Sequence, residues 1–183
     1  NAIFISYARE DLPAVQHLKA ALDTAGFTTW FDLDRLEGGD DYDRKIRANI
    51  GRCSFFVPVI SASTQRRQEA YFRREWSYAV DRARNIAEGA VFILPVCIDD
   101  TRESDALVPE QFKAVHIVRM PDGEPPPEFL RRLHDLFSDG DGPPGSVSWR
   151  GNDAVRGRRL VLGNGAVRLS YAVSDPASPY YRN

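Results

Sequence analysis

The chain has 183 residues, of which 43% are hydrophobic, enough for a packed core and too many for a disordered chain. Its net charge of -2 argues against a general nucleic-acid binder, which normally carries a basic excess. No stretch approaches the roughly 20 apolar residues that a transmembrane helix needs, and no signal peptide is visible. Cys53 and Cys97 lie in apolar runs, which predicts buried free thiols and a cytoplasmic location.

Strands and helices alternate along the first part of the chain. Asp11 is suited to cap the first helix, and Gly26 is suited to end it. The segment 27–31 is rich in aromatic and β-branched residues, which favours a strand. In order, the pattern predicts a strand at 2–7, a helix from Asp11 to Gly26, a strand at 27–31, a charged loop at 32–41 and a helix over 42–51.

The alternation continues in the second part. Proline interrupts two of the predicted strands, at Pro58 and Pro95. Because proline removes a ladder donor, it suits an edge or an irregular position. The predicted elements are a strand at 54–60, a helix at 67–86, a strand at 90–98, a short strand at 115–118 and an amphipathic helix at 129–137.

This order of elements predicts an α/β fold. Apolar strands alternating with helices imply parallel pairing, and five of them suggest a flavodoxin-like, doubly wound sheet with strand order 2-1-3-4-5. Ligands bind beyond the carboxyl ends of such strands. Three loops would meet there: the loop after Tyr7, the loop that begins at Asp32 and the loop that begins at Ser61. We expect one domain over 1–137, a linker at 138–145, and a short β-like C-terminal extension at 146–183, whose role, including that of starting a further domain, stays open.

Several familiar chemistries lack support in the sequence. His17, His116 and His134 show no metal-ligand spacing with either cysteine, so no metal site is predicted. No glycine motif that cradles phosphates is present. Ser61 and Ser63 would need a base to act as nucleophiles, and no histidine is placed to serve.

Five segments, taken in order, resemble a known family. They are FISYARED, WFDLDRLEGGDDYDRKIRANI, FFVPVISAS, YFRREWSYAV and FILPVCI. Together they resemble the Toll/interleukin-1 receptor (TIR) domain, most closely its bacterial NAD-cleaving type, over residues 2–137. The family contains scaffolds, which signal by assembling with other TIR domains. It also contains enzymes that cleave the nicotinamide–ribose bond of NAD with a glutamate on the third helix.

The resemblance implies a set of site residues. Glu75 matches the catalytic glutamate, and Tyr71 stands one turn earlier, where many family enzymes have a tryptophan. Arg9 resembles a basic pocket residue after the first strand, and Tyr7, at the end of that strand, is grouped with it. The pocket-lining loop after the second strand is matched by Asp32, Arg35, Leu36 and Glu37, with Tyr42 as the aromatic residue that ends it.

One carboxylate suits the implied reaction. Nicotinamide leaves NAD as a neutral molecule, so the second carboxylate with which a glycosidase protonates its leaving group is unnecessary. The remaining carboxylate can hold the ribose hydroxyls and stabilise the developing oxocarbenium charge. Arg9 or Arg35 can engage the diphosphate. NAD is then the substrate, and no cofactor is predicted.

The function predicted from the resemblance is an NAD⁺ nucleosidase that releases nicotinamide and ADP-ribose, or a cyclic variant, as an effector in bacterial defence or signalling. We expect self-association with other TIR domains, and no contact with nucleic acid or membrane. Two alternatives stay open: a non-catalytic TIR scaffold, and an enzyme like the nucleoside deoxyribosyltransferases. Glu75 itself has a second interpretation, in which it pairs with nearby arginines on a solvated helix face.

Overall fold

The computed structural model describes residues 2–31, 40–138, 158–161 and 168–171. Its centre is a five-stranded, all-parallel sheet with strand order β2-β1-β3-β4-β5, as predicted. Parallel strands covered on both faces need apolar side chains throughout, and every residue of β1 and β3 is buried. The strands are β1 (Ala2–Ser6), β2 (Thr28–Trp30), β3 (Phe55–Ile60), β4 (Val96–Cys97) and β5 (Val118–Arg119).

Helices cover the two faces of the sheet. One face carries α1 and α6, and the other carries α2 and α4, so each face of a central strand packs into its own apolar cluster. Along β1 the side chains alternate between these clusters, with Ile3 and Ile5 on the first face and Phe4 on the second. The helices are α1 (Leu12–Thr24), α2 (Asp40–Arg52), α3 (Ala62–Arg66), α4 (Tyr71–Ala83), α5 (Glu110–Lys113) and α6 (Pro127–Ser138).

Pro58 explains why β4 is shorter than predicted. Phe56 directs its N–H and C=O toward the β4 segment, where they bond Phe92 and Leu94. By alternation Pro58 faces the same neighbour, but it has no N–H to donate. Pairing is therefore limited to a single bridge at Ile93 and a short ladder that resumes at β4. Pro58 lies in the central strand, so it interrupts the ladder and does not mark an edge.

The predicted helix at 67–86 is α4 (Tyr71–Ala83), which is shorter at both ends, and a separate short helix, α3, precedes it. Ser61 begins the short helix α3 with a capping box, in which its hydroxyl accepts from the Thr64 N–H and its own N–H donates to the Thr64 hydroxyl. The chain leaves helical geometry at Arg67 and re-enters it at α4. The helix that carries Glu75 was predicted, whereas α3 and its capping box were not.

One glycine is required by close packing. Gly123, after β5, has φ +80°, and a Cβ there would lie 1.9 Å from the carbonyl oxygen of Ala14 in α1. Only glycine allows the backbone to approach this closely. This contact holds the turn after β5 against the helix that follows β1.

In the C-terminal extension, the predicted β character appears as an antiparallel pair. β6 (Arg158–Val161) pairs with β7 (Arg168–Tyr171). The predicted linker, beyond its first residue, and the rest of the extension lie outside the described residues.

Candidate active site

Glu75 occupies a core position on its helix. The buried residues of α4 recur at i, i+3, i+4, i+7 and i+8, the spacing of one apolar stripe. They are Phe72, Glu75, Trp76, Ala79 and Val80. Glu75 is therefore the one ionisable member of an otherwise apolar stripe, and its side chain is 0% exposed. Glu75 therefore does not lie on a solvated helix face, as the second interpretation requires.

One hydrogen-bond partner of Glu75 comes from the sheet. The hydroxyl of Ser6, the last residue of β1, donates to Oε2 of Glu75 at 2.5 Å. Ser6 is also fully buried, and its side chain lies on the sheet face that packs against α2 and α4. The carboxylate thus lies at the carboxyl end of β1, the edge where a doubly wound sheet binds ligands. The sequence analysis did not identify Ser6 as a site residue.

The two arginines that precede Glu75 bind other groups. Arg73 donates to the carbonyl oxygens of Thr64 at 2.9 Å, Arg67 at 2.8 Å and Leu107 at 2.9 Å. It therefore ties the segment before α4, and the loop that follows β4, to the helix that carries Glu75. Arg74 forms an ion pair with Asp43 of α2 at 3.4 Å.

Tyr71 is half-buried and is held by the carboxylate of Asp43, the same group that pairs with Arg74. Its hydroxyl donates to Asp43 at 3.1 Å, and the Tyr78 hydroxyl donates to the other Asp43 oxygen at 2.7 Å. The hydrogen bond from Tyr78, aided by Tyr71 and Arg74, holds the pKa of Asp43 below its usual range. Burial and the bond to Asp43 raise the pKa of Tyr71, so the phenol remains a donor at neutral pH. These contacts join α2 to the first two turns of α4.

The two predicted site residues after β1 are placed differently from Glu75. Tyr7 is buried in the cluster on the α1 and α6 face, where its ring centroid lies 6.0 Å from that of Phe31. Its ring therefore packs on the opposite face of the sheet from Glu75. Arg9 is exposed in a 3₁₀ turn, Arg9–Asp11, directly beyond the end of β1.

The remaining predicted site residues belong to the loop after β2. They lie outside the described residues, except for the backbone of Tyr42 in α2. Their binding roles therefore stay predictions. They are Asp32, Arg35, Leu36, Glu37 and Tyr42.

Comparison with known proteins identifies the family. A family model described as TIR domain matches residues 3–134. The chain belongs to the TIR-domain family. No curated protein sequence matches this TIR domain.

Solved structures resemble this TIR domain at low identity. The TIR–STING receptor of C. gigas superposes with TM-score 0.52 and 21% identity, covering 73% of this chain and 37% of that one. The TIR domains of the Roq1 resistosome give 0.44 and 24%, covering 54% and 58%. The CMP N-glycosidase BcmB of Clostridium botulinum gives 0.47 and 14%, covering 75% and 99%. The chain thus spans less than two thirds of the Roq1 and TIR–STING chains.

A second buried carboxylate lies at the same end of the sheet of this TIR domain. Asp11 is 7% exposed and accepts a hydrogen bond of 2.6 Å from the hydroxyl of Ser61, the cap of α3. Burial raises the pKa of Asp11 despite this bond. Nearby, Asp99 accepts from the N–H groups of Ala62 and Thr101 at 2.7 and 2.9 Å. Ser61 is therefore committed to capping and to Asp11, which gives it a structural role.

The described residues also contain an apolar cavity, which lies away from Glu75. Its volume is about 320 Å³, and it is enclosed by the C-terminal end of α4, the segment 89–94, and α6. Glu75 does not line it, so this cavity and the predicted NAD site are separate.

Metal-ligand groups and membrane spans are absent from the part of the TIR domain that the structure describes. No three of its His, Cys, Asp and Glu side chains group in a way that holds a metal ion. No described helix is long and apolar enough to cross a bilayer. Both cysteines are buried and free, and burial raises the pKa of the Cys53 thiol to about 12.

Proposed function

We propose that this TIR domain cleaves the bond between nicotinamide and ribose in NAD, with Glu75 as the catalytic carboxylate. The products are nicotinamide and ADP-ribose or a cyclic variant. The protein acts on cytoplasmic NAD as an effector of bacterial defence or signalling.

The observation that supports this proposal most strongly is the position of Glu75. A carboxylate in the apolar stripe of a helix loses hydration and contributes less to packing than an aliphatic side chain would. It is held by Ser6 at the carboxyl end of β1, the ligand-binding edge of this architecture. A buried carboxylate that lowers stability and lies at such an edge is typical of a functional site.

The chemistry needs only what this site contains. As the glycosidic bond breaks, the ribose ring develops positive charge and nicotinamide departs neutral. A fixed carboxylate in a water-poor environment stabilises that charge far more than one in bulk water. Tyr71, one turn before Glu75, offers a ring beside the site, and its hydroxyl is anchored by Asp43. Arg9 is exposed beyond the end of β1, within the same edge, and engages the diphosphate in this proposal.

The burial of Glu75 adds a requirement for movement. Because its side chain is 0% exposed, the nicotinamide–ribose bond reaches it only after the surrounding residues rearrange. We propose that association with a second TIR domain drives this rearrangement. A single chain would then be weakly active, and assembled chains would be active.

Incubation of the purified protein with NAD tests both parts of the proposal. Nicotinamide and ADP-ribose products are separated by chromatography over a series of protein concentrations, with Glu75→Gln as the blank. We expect turnover per molecule to rise steeply with concentration. Measurable turnover that stays flat from dilute to concentrated protein would rule out the assembly requirement. Complete absence of nicotinamide release, with or without a crowding agent, would rule out NAD cleavage.

The burial of Glu75 also favours one alternative, a non-catalytic TIR scaffold in which the carboxylate and Ser6 only stabilise the fold. The same assay separates the two functions. A scaffold would self-associate at high concentration, as measured by light scattering, without releasing nicotinamide.

A further inference from the structure

Ser6 lies at the carboxyl end of β1, and its hydroxyl reaches Glu75. It is the last residue of β1, where it is paired with Pro58 of β3, so its backbone is held by the neighbouring central strand. Its side chain has a single carbon before the hydroxyl, so very little conformational freedom remains once the strand is formed. A donor mounted in this way is far more rigid than one on a loop or a long side chain.

Glu75, in contrast, has three side-chain torsions and needs an external contact to select one orientation. The hydroxyl of Ser6 meets Oε2 at 2.5 Å, in the range of short bonds between a hydroxyl and a carboxylate. Both side chains are 0% exposed, and in such surroundings a hydrogen bond is electrostatically stronger than in water. The flanking arginines do not provide an equivalent constraint, since Arg73 bonds backbone carbonyls and Arg74 pairs with Asp43.

We infer that Ser6 is a positioning residue, which fixes the carboxylate of Glu75 in the orientation that the reaction requires. This inference rests on the proposed NAD cleavage. Ser6 touches Glu75 and acts on the substrate only through it. Without the hydroxyl, the carboxylate of Glu75 remains present but samples orientations that do not face the ribose. A misdirected carboxylate stabilises the transition state less, while contacts made by other groups with bound NAD remain.

The kinetic test compares Ser6→Ala with Ser6→Thr, which retains a hydroxyl. A matched control is Ser54→Ala, which removes a buried serine next to β3 at the opposite end of the sheet. Assays use the full chain at a concentration where wild-type turnover per molecule no longer rises. We expect Ser6→Ala to lower kcat about tenfold or more, with KM for NAD within about twofold. Ser6→Thr should recover part of the loss, and Ser54→Ala should match the wild type.

If Ser6 has only a structural role, Ser6→Ala will have a lower unfolding temperature, but the kcat of the folded protein will stay within about twofold of the wild type. That result would overturn the inference. Loss of kcat in Ser54→Ala of the same size would overturn it as well, because any buried serine would then have this effect.

A second measurement does not depend on NAD turnover. Urea unfolding of the wild type, Ser6→Ala, Glu75→Ala and the double variant forms a double-mutant cycle. We expect Ser6→Ala to shift the unfolding midpoint less when Glu75 is absent, because the bond has already been lost. Additive shifts would show that Ser6 does not hold Glu75. If Glu75→Ala does not fold, Glu75→Leu, which also removes the acceptor, replaces it in the cycle.

The two measurements distinguish the two possible failures. If the wild type releases no nicotinamide while the cycle shows coupling, the proposed function is wrong, and the catalytic role of Ser6 falls with it. If the wild type is active and the cycle is additive, the proposed function stands and the inference about Ser6 is wrong.

Discussion

Asp11 and Glu75 are two buried carboxylates at one end of the sheet, and the reasons for their burial differ. Asp11 directly precedes α1, but its side chain makes no cap hydrogen bond there, contrary to the prediction. Its carboxylate accepts instead from Ser61, which caps α3, so its position follows from the beginning of that helix. Glu75 lies inside α4, where the helix needs no acidic side chain, and its partner Ser6 belongs to a strand. A carboxylate at a helix boundary is thus explained by local folding, whereas one in the apolar stripe of a helix requires another reason.

The energetic argument points the same way. Burial of a carboxylate costs several kcal/mol, and hydrogen bonds only partly offset that cost. At Asp11 the bond also orders the start of α3, which contributes to stability. At Glu75 an aliphatic side chain would satisfy the same stripe without a buried charge. The comparison therefore assigns Asp11 to stability and Glu75 to function, and the predictions below test that division.

The largest expected difference is in NAD turnover. Glu75→Gln should lower kcat by about 10²-fold or more, since an amide of the same shape lacks the negative charge that the transition state needs. Asp11→Asn should stay within about threefold of the wild type, because it removes an equally buried charge away from the reaction. Nicotinamide release measures both, and circular dichroism checks that each variant is folded. Equal losses in the two variants would contradict the division.

A smaller effect is expected on stability at the other carboxylate. Ser61→Ala should lower the free energy of unfolding by about 1 kcal/mol, because it removes the cap of α3 and the donor to Asp11. Turnover per folded molecule should change less than about twofold. Ser77→Ala, at an exposed position of α4, serves as the control and should stay within about 0.5 kcal/mol of the wild type. Urea unfolding gives the measurement, and an unchanged midpoint for Ser61→Ala would show that the cap contributes nothing.

The smallest expected effect is a pH dependence at Asp11. Burial raises the pKa of Asp11 above 3.8, its usual value. Between 3.8 and the raised pKa, the folded protein retains a proton that the unfolded chain has released, so this group lowers stability as pH rises through that window. Asn has no such proton and keeps an oxygen that accepts from Ser61.

The stability of Asp11→Asn relative to the wild type should therefore increase as pH rises from about 3.5 to about 7. Urea titrations of the two proteins in the same buffers measure this difference, in which the other carboxylates cancel. A relative stability that falls over the same range would mean that Asp11 prefers its charged form in the folded protein.

The hydrophobic periodicity and the positions of glycine and proline were sufficient to predict most of the fold. The alternation of strands and helices predicted the parallel sheet and its order, which the structure confirms. Gly26 was predicted to end the first helix, and it follows α1 with φ +86°. These features depend on local spacing and on backbone preferences, so they can be predicted without knowledge of distant contacts. Element ends were less accurate, as at α4, which begins four residues later and ends three residues earlier than the predicted helix at 67–86.

The candidate site was only partly predictable. The sequence by itself determined which helix carries Glu75 and that Tyr71 stands one turn before it, whereas the place of Glu75 in the buried stripe was not predicted. Only the tertiary structure decided that Glu75 meets Ser6 and that Tyr71 meets Asp43. These pairs are separated by 69 and 28 positions along the chain. Spacing within one helix cannot determine which strand or neighbouring helix will face it, because that depends on how the sheet and its covering helices pack together.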